Sequence, residues 1–137
     1  MILRKILVPV DLSPRSTGAA RYAISLAQQL DSELVFVHAA KEGRMPGNTA
    51  DAVLELITEI CNGIPNKFLR REGSPVPVIL NAAQSEEPDL ILMPTKGHSA
   101  LSRLVERSIT AQVQRAAPCP VWAGVNDLSL RAGKPIQ

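Results

Sequence analysis

Residues 5–14, Lys5-Ile6-Leu7-Val8-Pro9-Val10-Asp11-Leu12-Ser13-Pro14, carry the reading that decides the fold. From Lys5 to Val10 the run is apolar and continuous rather than alternating, which suits a strand covered on both faces, as in a parallel sheet. Ser13 is a helix-capping residue type, and Pro14 fits a first helical position, where a missing N–H costs nothing. Ala20, Ala23, Ile24, Ala27 and Leu30 then recur at helical spacing, and Leu34-Val35-Phe36-Val37-His38-Ala39 supplies a second strand. Strand, helix and strand at this spacing predict a right-handed βαβ unit.

The alternation continues outward. A loop from Lys41 to Thr49 contains Gly43, Pro46 and Gly47. Ala50, Val53, Leu54, Ile57, Ile60 and Cys61 form an amphipathic stripe, and Asn62-Gly63-Ile64-Pro65 stops it. Phe68-Leu69-Arg70-Arg71 predicts a short, partly exposed edge strand whose charges discourage edge-to-edge pairing. Ser74 is placed to cap a third helix, with Pro75 and Pro77 in its first turn and Val76, Ile79, Leu80 and Ala83 facing inward. After Pro88, Asp89 to Met93 reads as a buried fourth strand. Pro94 to Arg107 predicts a loop with a short helical turn around Leu101 to Val105. Ser108 then opens a last helix with Ile109, Val113, Ala116 and Ala117 as its apolar positions. Pro118 ends that helix, and Pro120 to Val125 is the last strand. Residues 1–125 thus form one α/β domain, a parallel sheet with helices on both faces, and 126–137 read as a loose tail.

Composition narrows the function classes. The 137 residues are long enough for one real core, and a net charge of +2 is too small to argue for nucleic acid or an anionic membrane surface. Aromatic residues make up 3% of the chain, too few for a base-stacking nucleic-acid surface. No apolar run reaches the ~18 to 20 residues of a membrane span, and Met1 to Lys5 lacks the zones of a signal peptide. Cys61 and Cys119 stand outside any CxxC spacing, which suits reduced thiols in the cytoplasm. His38 and His98 have no cysteine or carboxylate at metal-ligand spacing, so no metal site is predicted. In an open parallel sheet, ligands sit beyond the carboxyl ends of the strands, where the strand order reverses. Here those ends are Asp11, Ala39 and the segment from Pro94 to Gly97.

These strand ends carry a resemblance. Ile6-Leu7-Val8-Pro9-Val10-Asp11 with Ser13, then Val37-His38-Ala39, resembles the opening of the universal stress protein family. Gly73-x-Pro75-x-x-x-Ile79-Leu80 and Pro88-Asp89-Leu90-Ile91-Leu92-Met93 resemble its middle. Gly97-His98-Ser99-Ala100-Leu101-Ser102-Arg103-Leu104, Ser108 and Ala117-Pro118-Cys119-Pro120-Val121 resemble its end, so the likeness spans residues 3–125 in one register. It implies a three-layer α/β fold that is Rossmann-like and adenine-nucleotide-binding-like. The sheet would have five parallel strands in order 3-2-1-4-5, and a homodimer would form through the last strand, Val121 to Val125. It further implies a cytoplasmic stress-response module that binds an adenine nucleotide, with ATP and its magnesium as the family's ligand.

The family's ATP-binding members carry glycine, two residues, glycine, nine residues, glycine and then a hydroxyl residue. On this chain those positions hold Pro94, Gly97, Arg107 and Ser108. Proline lacks the N–H that would hold a phosphate, and Arg107 adds a side chain. Each lost bond to a charged group costs about 1.5–3 kcal/mol, or about 10- to 150-fold in affinity. If Arg107 stands just before a helix N-terminus, its guanidinium can fork onto a phosphate instead, as can Lys96; the alternative is an ordinary solvated arginine. Asp11 matches the family's aspartate beside adenine and ribose, or caps the following helix in an Asx turn. Pro9, Ala39, Met93 and Ile109 match apolar or backbone contacts to the nucleotide, or pack the core. Gly97 supplies loop flexibility under either reading, and Ser108 either donates to a phosphate or caps the last helix. Three functions remain open: a regulatory binding module, an ATP-binding protein with slow ATPase or phosphotransfer activity, and a nucleotide-free dimeric interaction protein. Without a Walker lysine or an evident general base, turnover is the weaker of these.

Overall fold

The computed structural model describes residues 2–12, 16–41, 48–93 and 100–123. Its elements are β1 (Lys5–Pro9), α1 (Ser16–Leu30), β2 (Glu33–Ala40), α2 (Asn48–Ile60), β3 (Asn66–Glu72), α3 (Pro75–Glu86), β4 (Leu90–Met93), α4 (Ala100–Ala116) and β5 (Val121–Ala123). The strands form one sheet in the order β3-β2-β1-β4-β5, and each neighbouring pair runs parallel. This is the parallel α/β sheet expected from the residue pattern, in the strand order that the resemblance implies. Residues 13–15, 94–99 and 124–137, which include the expected cap Ser13, Pro94, Lys96, Gly97, His98 and the tail, lie outside the described residues.

Residue parity sorts the core into two layers, because successive side chains of a strand point to opposite faces. Ile6, Val8, Leu34, Phe36, Leu90 and Leu92 face α1 and α2, meeting Ala20, Ala23, Ala27, Val53 and Ile57. Leu7, Val35, Val37, Ile91 and Met93 face the other way, onto Val78, Ile79, Ala82 and Ala83 of α3 and Val113 of α4. Burying each Leu, Ile or Val in this way is worth about 1.5–3 kcal/mol, so these continuous apolar strands require helices on both sides. The phenyl rings of Phe36 and Phe68 stack 6.4 Å apart and extend the first layer under β3.

Several expectations are corrected. β1 ends at Pro9 rather than Val10, and α2 begins at Asn48 rather than Ala50. β3 is an edge strand, as its charges suggested, but it is longer than Phe68–Arg71 and is paired to β2 over all seven residues. Ser74 occupies the N-cap of α3 with extended backbone, yet its side chain makes no capping bond. The buried stripe of α3 is Val78, Ile79, Ala82 and Ala83, with Val76 and Leu80 only flanking it. The two alanines let the helix approach the sheet more closely than Leu80 would allow. The turn into α3 requires its glycine. Gly73 has φ +137°, and its N–H donates to the Ala40 carbonyl at 3.0 Å. The largest correction concerns α4, which is continuous from Ala100, so Ser108 lies inside it rather than opening it.

Candidate functional site

The order of strands reverses between β1 and β4. From β1 the chain crosses to β2 on one side, and from β3 it returns over the sheet to β4 on the other. A crevice at the carboxyl ends of these two strands follows from that connectivity. Pro9 sharpens it. The Val10 N–H donates to the Val37 carbonyl of β2 at 2.9 Å, so the nitrogen of residue 9 faces the opposite side, toward β4. A proline there has no hydrogen to give. The β1–β4 pairing accordingly stops at Leu7↔Ile91, whereas the β1–β2 pairing continues to Pro9↔Val37.

Parity brings three of the expected site residues to one face of this crevice. Pro9, Ala39 and Met93 share the odd-numbered register that points toward α3 and α4; Pro9 and Met93 are buried, and Ala39 is half-buried. Ile109 of α4 packs into the same layer. Asp11, two residues beyond β1, is exposed, beside the buried Val10. Leu12 comes next with φ +58°, a left-handed conformation that is costly for a bulky residue, while its side chain stays in the core at 6% exposure. His38, on the opposite face of β2, donates from Nδ1 to the Val10 carbonyl at 2.9 Å. Sequence reasoning misses both the strained turn and the histidine contact. Their one sequence signal is a polar residue, His38, near the end of an otherwise apolar run.

Arg107 and Ser108 do not join that group. Residues two positions apart on a helix are separated by about 200° around its axis, so with Ile109 turned inward, Arg107 turns to solvent; both Arg107 and Ser108 are exposed. Being interior to α4, their N–H groups are committed to the helical ladder. The Gln112 side-chain amide donates to both the carbonyl and the hydroxyl of Ser108, at 3.2 and 3.3 Å. The expectation that Arg107 precedes a helix N-terminus and that Ser108 caps one is therefore corrected: the amino end of α4 is at Ala100. The physical reason is in the residues. From Ala100 to Ala116 there is no glycine or proline, and the arginine at 107 favours the helix by nearly 1 kcal/mol over the glycine that a phosphate loop would have. Thr110, beside Ile109, is buried, and its hydroxyl has no hydrogen-bond partner among the described residues.

Charges gather at the opposite end of the sheet. Asp89 accepts from the Arg4 and Lys5 N–H groups at 2.8 and 3.1 Å. Lys5 Nζ donates to the Glu86 carbonyl and lies 3.6 Å from Glu33. Lys67 contacts the Glu86 carboxylate at 2.8 Å. That hydrogen bond holds the Glu86 carboxyl below its ordinary range, against the raising effect of desolvation. These groups tie strand beginnings together rather than facing the crevice. Burial raises the thiol pKa of both Cys61 and Cys119. Among the described residues no three His, Cys, Asp or Glu side chains gather as metal ligands, and no helix is long and apolar enough to cross a membrane.

A parallel five-stranded sheet in this order, with helices on both faces and its central pair parted at Pro9, is a doubly wound, Rossmann-like α/β scaffold. Family comparison gives it a name: residues 3–60 and 59–123 match the universal stress protein family, and the chain belongs to that family. A universal stress protein of Methanocaldococcus jannaschii is 28% identical over 137 residues, covering 88% of this chain and 81% of its own. One from Thermus aquaticus is 30% identical, covering 88% of this chain and 97% of its own. Among solved structures, a universal stress protein in complex with cAMP superposes with a TM-score of 0.71 at 19% identity, covering 90% of this chain and 98% of that one. A dAMP complex from Archaeoglobus fulgidus gives 0.65 at 20% identity, with 90% and 98% covered. An AMP-bound family member from Arabidopsis thaliana gives 0.64 at 16%, with 93% and 95% covered. At these identities the likeness is one of fold.

Proposed function

We propose that this universal stress protein is a regulatory binding module for an adenine nucleotide, held at the carboxyl ends of β1, β2 and β4. The observation that carries this reading is the convergence of Pro9, Ala39, Met93 and Ile109 on one face of the β1–β4 crevice. Small and apolar residues there suit the face of a purine ring, and the Ala39 N–H, which faces β1 beyond the last β1–β2 rung, can read its edge. Asp11, exposed at the mouth, is placed for the ribose hydroxyls. The related structures in complex with cAMP, dAMP and AMP support a monophosphate as the ligand class. With residues 107–109 inside a helix, their N–H groups are committed to its ladder, and the amino end of α4 is left as the helix terminus that can receive a phosphate. Any magnesium would arrive on the phosphates of ATP rather than in a protein carboxylate cluster. ATP turnover is the competing reading.

Calorimetry of the purified protein with AMP, cAMP, ATP and the matching guanine nucleotides tests this. Heat from the adenine monophosphates, with ATP no tighter and guanine nucleotides silent, is the expected result. No heat from any adenine nucleotide at millimolar concentration would sink the proposal, and measurable ATP hydrolysis would favour turnover. The two thiols, free of disulfides, support a reducing, cytoplasmic setting. Among the described residues β5 is the last strand of the sheet, and its Val121, half-buried, and Trp122, 38% exposed, support a homodimer through this strand; Gly124 and Val125 lie outside the described residues. A monomer in sedimentation would count against that pairing.

A further inference from the structure

We propose that His38 is the positioning residue of the strand-end site: held as the Nδ1–H tautomer, its imidazole fixes the Val10 carbonyl and, through it, the turn that presents Asp11. The inference rests on the reading of these strand ends as an adenine-nucleotide site. Val10 is the first residue beyond β1, and consecutive β2 residues hold both of its backbone groups. Its N–H donates to the Val37 carbonyl and its carbonyl accepts from His38 Nδ1, each at 2.9 Å. In a continuing parallel ladder that carbonyl would instead accept from the Ala39 N–H. In β2 the odd-numbered N–H groups face β1, as Glu33 to the Arg4 carbonyl shows, and the even-numbered ones face β3, as Leu34 to the Pro65 carbonyl shows. The imidazole therefore takes the place of one rung and lets the chain leave the sheet at a set angle.

The chemistry of the contact fixes the tautomer. A backbone carbonyl only accepts, so Nδ1 must carry the hydrogen, which in the neutral ring leaves a lone pair on Nε2. The turn beyond Val10 explains why the angle needs fixing. Leu12 holds φ +58°, a strained conformation that persists only where its surroundings determine it. Its buried side chain anchors one end of the turn, and the doubly held Val10 anchors the other. Asp11 lies between these two anchors. A histidine that merely filled space could be replaced by leucine without consequence, whereas a positioning histidine requires a donor at the place of Nδ1. Asparagine, whose amide nitrogen falls near that place, supplies one.

The test begins without ligand, on wild-type protein labelled with 15N at histidine. An imidazole protonated at Nδ1 and bare at Nε2 is expected, and the Nε2–H tautomer would overturn the inference. In His38→Leu, the Asp11 and Leu12 amide resonances shift and AMP affinity falls about three- to tenfold, the effect of one lost neutral hydrogen bond. In His38→Asn, both return toward wild type. Equal behaviour of the leucine and asparagine variants would also overturn it. Should wild-type protein bind no adenine nucleotide, the functional reading fails, while the tautomer and the amide shifts still decide the role of His38. Should His38→Leu not fold, the wild-type tautomer decides it.

Discussion

Replacing Arg107 separates two ideas about the last helix that the family's glycine pattern runs together. Arg107 is the eighth residue of the 17-residue α4 and is exposed. Arg107→Gly puts glycine in a helix interior, at a cost of about 0.8 kcal/mol relative to arginine. For a chain of this length that lowers Tm by about 3 °C. Arg107→Ala removes the same guanidinium while keeping an excellent helix former, so its Tm should hold within about 1 °C. Because Arg107 faces away from Ile109, AMP and ATP affinities in the alanine variant should stay within about twofold of wild type. The glycine variant should gain no ATP affinity, since the residue 107 N–H already serves the helix. Scanning calorimetry and titration calorimetry on the three proteins check both halves. A loss of about tenfold or more for ATP in Arg107→Ala, with adenosine unaffected, would show a charge-assisted phosphate contact and refute the outward placement. An unchanged Tm in Arg107→Gly would refute the continuous helix.

Four other substitutions probe the sheet base, the core and a turn. Asp89→Ala removes the acceptor for two backbone N–H groups and should cost about 1.5–3 kcal/mol in urea unfolding, without changing nucleotide affinity. Glu86 titrates lower in the folded chain than unfolded, so its stabilisation is complete above its ordinary pKa of 4.5 and disappears as pH falls through the folded value. Glu86→Gln should therefore be less stable than wild type at neutral pH and level with it in strong acid, as read by unfolding at both. Thr110→Val should raise stability by about 1 kcal/mol by removing a buried hydroxyl that has no partner among the described residues; a loss would mean that the hydroxyl has one. Gly73→Ala should destabilise by about 1–3 kcal/mol, because φ +137° suits glycine and a Cβ would meet Val78 Cγ2 at 3.2 Å, as chemical unfolding would report.

The sheet is legible in the sequence because burial on both faces demands long apolar runs, and Ile6–Val8, Leu34–Val37 and Leu90–Met93 have no other sensible use. Position along those runs points to Asp11, Ala39 and the segment from Pro94 as strand ends, and the family resemblance adds Pro9 and Met93. The shared face of Pro9, Ala39 and Met93 emerges only from the register of the sheet. The last helix is misplaced for a different reason. A phosphate-loop pattern laid over residues 94–108 outweighs the local signal, although Leu101, Leu104, Val105, Ile109 and Val113 already recur at helical spacing. In α3 Ile79 and Ala83 are buried as expected, and Val76 and Leu80 pack at the margin of the same core. The reading misses Val78 and Ala82, because closeness to the sheet favours the small residue. The His38 contact with Val10 joins residues 28 apart through a side-chain nitrogen, and no periodicity or spacing encodes it.

The sheet is fastened unevenly along its length. At its base, Asp89, Arg4, Lys5, Glu33 and Glu86 bind β1 to β2, β4 and α3 through backbone and ionic contacts. At its upper rim, Pro9 leaves β1 and β4 without their next rung. Such a sheet behaves as a fan pinned at the handle: small motions at the base are suppressed, and the ribs can spread only where a ligand would enter. Amide exchange should accordingly be slower at Lys5 and Asp89 than at Leu92 and Met93, and a bound ring wedged between the ribs should slow the rim while leaving the handle as it was.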